Sequence, residues 1–382
     1  MTLVEPSWDV ARSTAAGLGK FLGSERVSIH SALDRILASD AISLVDLPTY
    51  ETSAMDGYVV AGGKPWKLIG EIKAGEIFAE NMNPGEAYSI VTGAVIPRGA
   101  FGVLRWEDAK VENGFVSGAT SERKDFRPKG AEAREGEVLI DKGTSLKPGM
   151  LGLLAASGYD EIEVARKPRV AILLLGDEIQ MSGKPENGLV RDSIGPQLPS
   201  WLRKLGCELV QVEYVSDDKS RTIEAINSAS QGADIVITTS GTADGPRDFL
   251  HRAIEELSGS IHVDKVAVRP GHPQLLGEVN GIPLLGLPGN PQSAIVALMT
   301  LGAPLIDSIL GRKSKPLPII QCDEILEAQP SFSRLVVGSL NRGWFTPGTY
   351  LGSAMLRSLA HGDGFAVCTN PPTTLRWLEL PL

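Results

Sequence analysis

From Arg169 onward the sequence repeats a pattern that few architectures accommodate. Residues 170–175 form a continuous apolar run, as expected of a strand buried on both faces. A helical pattern follows at 199–205 and stops at Gly206. Residues 208–215 read as a second strand, and Ser216 is placed to cap a helix running to about Ala229. Residues 235–238 predict a third strand and 246–257 another helix. Residues 284–287 predict a last strand, with a long apolar helix from Pro291. This alternation predicts a doubly wound, mostly parallel sheet with helices on both faces, spanning 168–312. In such sheets the ligand sits outside the carboxyl ends of the strands. Three of those ends carry small, polar or acidic residues: Gly176-Asp177-Glu178, Thr239-Ser240-Gly241 and Pro288-Gly289-Asn290.

Residues 285–291 read Leu-Gly-Leu-Pro-Gly-Asn-Pro. Asn290 is placed to accept from the first free N–H groups of the next helix. Pro291 suits the first helical position, which needs no N–H. An open helix start of this kind is a natural seat for phosphate. The same residues equally make a sound strand–helix turn and nothing more.

The rest of the chain is organised differently. Residues 29, 32, 33, 36 and 37 are apolar at helical spacing, with Ser28 as the cap. Between 59 and 144, short β-type runs at 66–69, 88–91 and 102–106 are broken by Gly, Pro and Asn, predicting a small inserted β domain. Residues 148–156 read as a short helix closed by Gly158. Pro, Gly and short β runs return from Lys313. The expected multidomain α/β fold is therefore an elongated N-terminal linker domain (1–58 and 145–167), the inserted β domain (59–144), the doubly wound domain (168–312) and a C-terminal, barrel-like β domain (313–382).

Composition narrows the chemistry. The 382 residues carry a net charge of −9, which argues against nucleic-acid binding and means that an anionic substrate must be drawn by a local basic cluster. The cysteines Cys207, Cys322 and Cys368 lie far apart, with no CxxC, as in a reducing compartment. The N-terminus lacks the pattern of a signal peptide, and no run of ~20 uninterrupted apolar residues predicts membrane insertion. These features predict a cytoplasmic protein. P-loop, GxGxxG, GxSxG and HExxH motifs are absent. The carboxylates, hydroxyls and glycine turns that remain suit phosphate-ester or phosphoanhydride chemistry assisted by a metal such as magnesium.

Residues 53–58, Ser-Ala-Met-Asp-Gly-Tyr, read alone as an Asp-Gly hairpin turn. With Leu47-Pro48, Val91-Thr92-Gly93-Ala94 and Leu287-Pro288-Gly289-Asn290-Pro291-Gln292-Ser293, they form a specific set. On these motifs the chain resembles, over nearly its whole length, the molybdopterin molybdotransferase family, which includes the E domain of gephyrin. The resemblance implies that adenylylated molybdopterin and molybdate bind, molybdate is placed on the dithiolene, and AMP leaves with the help of Mg2+. Residue by residue, it implies Asp56, Thr92, Glu178 and Asp248 as catalytic groups, with Asp56, Glu178 and Asp248 holding the metal. Glu132, Asp177, Lys265, Arg269 and His272 are implied at the substrate. Ser240 and Gly241 join them, with Pro288, Gly289, Asn290, Pro291 and Ser293. It also implies a homodimer in which Asp56 and Thr92 act in trans, and a molybdopterin adenylyltransferase as a partner.

Several positions depart from the family pattern. Glu51-Thr52 replaces Asp-Asn, Ile194 replaces Asn, the 240–248 loop is shortened, and Arg269 and His272 stand where lysines are common. Two other functions therefore remain open on the sequence. One is a weakened paralogue serving as a dimeric scaffold, which binds a cytoskeletal or membrane protein through a short peptide. The other is direct adenylylation of molybdopterin, prompted by Gly245-Pro246-Arg247-Asp248.

Overall fold

The computed structural model describes residues 2–120, 124–242, 249–313, 315–369 and 374–381. By internal contacts the chain divides into two compact units. One comprises 1–25, 34–38 and 165–382; the other comprises 26–33 and 39–164.

The first unit is built on a seven-stranded sheet. Its order is Leu3–Val4, Ser260–Asp264, Leu275–Val279, Ile282–Leu287, Ile235–Thr239, Arg169–Leu175 and Glu208–Val215. All pairings are parallel except those of Leu275–Val279, which runs against both neighbours. The apolar run at 170–175 shows why the strand forms. Val170, Ile172 and Leu174 point into one core and Ala171, Leu173 and Leu175 into another, following the two-residue alternation of a strand. Each fully buried Leu or Ile contributes roughly 1.5–3 kcal/mol. Trp8–Leu18, Leu198–Leu205 and the segment from Pro291 cover the first face. Lys219–Gly232 and Leu250–Glu256 cover the second.

The helix Pro291–Ile309 passes through a π-helical stretch at Leu298–Gly302. It is long and apolar enough to cross a membrane, but almost all of it is buried in this core. A second sheet in the same unit joins Val268–Arg269, Ser333–Asn341, Gly364–Cys368, Leu375–Glu379 and Ile319–Ile320, with Trp344–Pro347 paired to Ser333–Asn341. One face of it, including Leu335, Val337, Phe365 and Val367, belongs to the first core of the seven-stranded sheet.

The second unit carries a six-stranded sheet ordered Gly102–Arg105, Gly57–Val60, Glu86–Ile90, Trp66–Ile72, Phe115–Gly118 and Ala109–Glu112. Val59, Ile72, Ile90 and Val103 fill one side, and Val60, Trp66, Leu104 and Val116 the other. The short helix Pro148–Ala156 ends before Gly158, whose φ of 100° closes it.

Three local expectations are corrected. No helix spans 29–37. Ser28 caps only a 3-10 turn, Ile29–Ser31, and Asp34 then turns left-handed at φ 61°. The apolar spacing was real but served two cores, because residues 26–33 and 34–38 fall in different units and Leu33 stays 46% exposed. Ser216 is not a cap; the Arg221 N–H donates to Asp218 Oδ1 at 2.9 Å, so Asp218 holds the start of Lys219–Gly232. The described part of the helix expected at 246–257 is Leu250–Glu256, and residues 243–248 lie outside the described residues.

Candidate active site

The register of the first sheet brings the three expected loops together. Leu174 pairs with Thr239, and Thr239 pairs with Leu287, so their strands end side by side. Beyond those ends lies a cavity of about 610 Å³. Glu178 comes from the first loop, Ser240, Gly241 and Thr242 from the second, and Pro288, Gly289, Asn290 and Pro291 from the third. Arg191, Asp192, Ser193 and Ile194 complete much of the wall. The two loops around Ser240 and Gly289 touch. A Cβ on Gly289 would sit 2.5 Å from Ser240 Oγ, so this crossing admits only glycine without a shift. Ser240 itself is held left-handed at φ 67°, an uncommon conformation for serine that its surroundings must impose.

Within this wall the residues have distinct tasks. Asp192 Oδ1 accepts from the N–H groups of Ile194 and Gly195, both at 2.9 Å, which fixes the turn. Ile194 is 6% exposed and joins the first core, giving the cavity an apolar side. Asp177 is not a lining residue. Its Oδ1 accepts from the Asp217 N–H at 3.1 Å, so it braces the loop after Arg169–Leu175 against the loop after Glu208–Val215. Tyr214 donates to the Gly176 carbonyl at 2.7 Å. Burial, then the charges of Asp177, Asp217 and Glu178, pushes the Tyr214 hydroxyl above its ordinary range, so it remains a donor.

The helix start after Asn290 differs from expectation. Asn290 occupies the cap position, but its side chain caps nothing; Nδ2 donates to Ser353 Oγ at 3.3 Å. The N–H groups of Gln292 and Ser293 donate to the Ser353 carbonyl instead, at 3.0 and 3.3 Å. The Ser240 N–H is likewise taken, by the Leu287 carbonyl at 2.8 Å. These three backbone donors are already satisfied within the protein, so they are not free to hold a phosphate.

The cationic seat lies next door. A second cavity of about 460 Å³ is lined by Arg269, His272, Ser293, Arg334 and Ser353, among others. It shares Pro273, Pro288 and Asn290 with the first. The Arg269 guanidinium lies 5.3 Å from the centre of the Phe332 ring. Lys265 lines neither cavity; it makes a left-handed turn at φ 61° and its N–H donates to the Gln274 carbonyl. Asp248 lies outside the described residues.

In the second unit the structure joins Asp56 and Thr92. The Thr92 N–H donates to Asp56 Oδ1 at 2.7 Å. Asp56-Gly57 is not a hairpin tip, because Gly57–Val60 pairs with the distant strands Glu86–Ile90 and Gly102–Arg105. Asp125 anchors this loop; its carbonyl accepts from the Ala54 N–H, and its carboxylate takes two bonds from Arg105, both at 2.9 Å. Glu132 is exposed, and among the described residues no hydrogen bond ties it to Asp56 or Thr92. Sequence reading missed Arg334, Ser353 and Asp192 as site residues. Arg334 and Ser353 lie in the second sheet and the loops around it, far from any strand-end motif. Asp192 sat in a segment noted only for its neighbour Ile194.

Comparisons with known proteins agree with this architecture. Residues 7–158 match the MoeA N-terminal region (domain I and II), and residues 171–308 match the probable molybdopterin-binding domain. The chain is 33% identical over 304 residues to the molybdopterin molybdenumtransferase of Haemophilus influenzae, covering 77% of this chain and 75% of that protein. It is 28% identical over 362 residues to the enzyme of that name from Staphylococcus epidermidis, covering 88% and 85%. A crystal structure of a molybdopterin biosynthesis MoeA protein from Pyrococcus horikosii superposes with a TM-score of 0.80 at 28% identity, covering 98% of this chain and 97% of that one. A second, from Pyrococcus horikoshii OT3, has a TM-score of 0.82 at 21% identity, with 98% of each chain covered; it supports the fold. Motif order, fold and extended sequence identity thus agree, and the chain belongs to the molybdopterin molybdenumtransferase family of enzymes.

Proposed function

We propose that this chain inserts molybdate into adenylylated molybdopterin and releases AMP, as a step in molybdenum cofactor biosynthesis. The observation that carries the reading is the pair of adjoining cavities. One is lined by the carboxylates of Glu178 and Asp192 with Arg191 beside them, the other by the guanidiniums of Arg269 and Arg334, and Pro273, Pro288 and Asn290 form the common wall. The reaction needs such a division, because it brings a phosphoanhydride and a tetrahedral oxyanion together while both are negatively charged.

The donor set of the first cavity fits magnesium. Mg2+ takes oxygen ligands, and one or two carboxylates plus substrate phosphates usually suffice. Glu178 would supply one carboxylate and Asp192 at most Oδ2, since its Oδ1 is held by the Ile194 and Gly195 N–H groups; no cluster of three metal-ligating side chains occurs among the described residues. Bound there, the metal offsets charge on the phosphoanhydride and on the departing phosphate. The protein's own groups do the rest. Arg269 and Arg334 bind the oxyanion with planar forks of donors. Ser293 and Ser353 offer hydroxyls on the same wall. Asp177 and Tyr214 hold the Gly176 turn and so position Glu178. The reading extends to Asp56 and Thr92 as further active-site residues, to a homodimer, to a molybdopterin adenylyltransferase as substrate donor, and to a cytoplasmic location.

The test is AMP release by the purified protein from adenylylated molybdopterin. Release is expected only with molybdate and magnesium together. Glu178→Ala should lower it by more than about tenfold, and Arg334→Ala should raise the molybdate requirement. Full turnover in Glu178→Ala would refute the assignment. No turnover in the wild-type chain would favour the scaffold reading.

A further inference from the structure

Residues 348–358 form a compact loop after Trp344–Pro347. Its ends are tied together: the Tyr350 N–H donates to Ser358 Oγ at 2.8 Å, and Arg357 Nη1 donates to Tyr350 Oη at 2.7 Å. The Met355 N–H closes an inner turn on the Gly352 carbonyl at 2.9 Å. The middle of the loop serves both cavities. Leu351 and Ser353 line the one with Arg269 and Arg334, and Ala354 and Leu356 line the one with Glu178. Gln292 grips this loop at two points. Its main-chain N–H donates to the Ser353 carbonyl at 3.0 Å, and its side-chain Nε2 donates to the Leu351 carbonyl at 3.2 Å. The Ser293 N–H and Asn290 Nδ2 add bonds to Ser353 alone.

Resting on the reading of the two cavities as substrate seats, we infer that Gln292 is a positioning residue whose buried amide holds the 351–356 loop in place across both. Main-chain donors would be present with almost any residue at 292; the amide is what glutamine adds. Gln292 is 0% exposed and lines neither cavity, so it acts through the loop. The amide has one orientation here, because rotating it would set Oε1 against the Leu351 carbonyl, acceptor against acceptor. In that orientation Oε1 has no hydrogen-bond partner among the described residues. A buried acceptor left unpaired costs at least as much as a neutral hydrogen bond returns. Methionine, unbranched and of the same length, fills such a space without an orphaned oxygen. Stability therefore does not account for the glutamine, and its grip on the loop does.

The test compares the full-length protein with Gln292→Met. Hydrogen–deuterium exchange read by mass spectrometry should quicken in peptides covering 350–356 and stay at the wild-type rate in Lys219–Gly232, with a Tm no lower than that of the wild type. In the AMP-release assay the KM for molybdate and the KM for the pterin substrate should rise together, each roughly two- to tenfold, the shift that one neutral hydrogen bond produces, with kcat unchanged. Calorimetric titration with sodium molybdate alone should show the same loss of affinity. Gln292→Leu, which also lacks the amide, should repeat the pattern. Wild-type KM values overturn the proposal whether or not the loop loosens. Faster exchange spread through the core with a lower Tm also overturns it, by making Gln292 a core support. Arg334→Ala separates this role from the reading it rests on. If that variant loses molybdate binding while Gln292→Met changes nothing, only the role of Gln292 is lost. If Arg334→Ala binds molybdate normally, the cavity assignment fails and the role of Gln292 with it.

Discussion

Asp234 offers a perturbation that separates the scaffold from the chemistry. It stands just before Ile235–Thr239, at the end of the sheet opposite the cavity. Arg166 donates to its two oxygens at 3.0 and 2.9 Å, and the Arg169 N–H donates to Oδ2 at 2.8 Å. One carboxylate thereby sets the starting points of two neighbouring parallel strands. Hydrogen bonds to charged groups contribute about 1.5–3 kcal/mol. The Arg166 side chain is 36% exposed, so solvent screening reduces what the bidentate pair adds. Asp234→Asn should therefore cost about 2 kcal/mol, a fall of roughly 4–8 °C in Tm for a unit of this size. The pH dependence gives a sharper check. Burial pushes this carboxyl up, but the bonds from Arg166 and Arg169 outweigh it, and the folded value lies below the ordinary 3.8. The stabilisation is thus fully present above about pH 4 and fades as pH falls through the folded value. Thermal melts of both proteins at pH 7 and at steps towards pH 3 should show the gap closing, while the KM values at 25 °C and pH 7 match. A gap of the same size at pH 3 would refute this account, as would equal Tm values at pH 7.

Two further changes probe the site. Gly289→Ala places a methyl 2.5 Å from Ser240 Oγ, which must rotate away while Ser240 Cβ stays at 3.7 Å; thermal denaturation should show a loss of about 0.5–1.5 kcal/mol, and the KM for the pterin substrate should rise. Asp56→Ala removes the acceptor for the Thr92 N–H; AMP release should drop about a hundredfold, as for loss of a charged group acting at the reaction centre, and circular dichroism should show the fold unchanged.

The strands of the first unit were legible because burial on both faces leaves an unbroken apolar run, as at 170–175, and because Gly206 marks the end of Leu198–Leu205 with a φ of 100°. The segment 29–37 was misread because its apolar residues serve two cores, and helical spacing alone does not reveal that. The three strand-end loops were legible as a group, since parallel strands in sequence must end on one edge. Which atoms remain available there was not. Whether the N–H groups of Gln292 and Ser293 face a ligand or the Ser353 carbonyl depends on a contact 60 residues away in sequence. Arg334 escaped notice for the same reason, because nothing local marks an arginine within Ser333–Asn341 as facing Pro288 and Asn290.

The departures from the family pattern are fitted to this framework. At Arg269 a lysine would lose the flat contact with Phe332, since a planar guanidinium stacks on a ring while its edge still donates hydrogen bonds. His272 leans on the same ring and is gripped by Glu5. Ile194 fills a place in the first core while walling the carboxylate cavity. Here Phe332 serves two of the replacements and Glu5 completes one of them. With a net charge of −9 the overall field repels a dianion. Any affinity for one would have to come from local groups such as Arg269 and Arg334, which line one cavity.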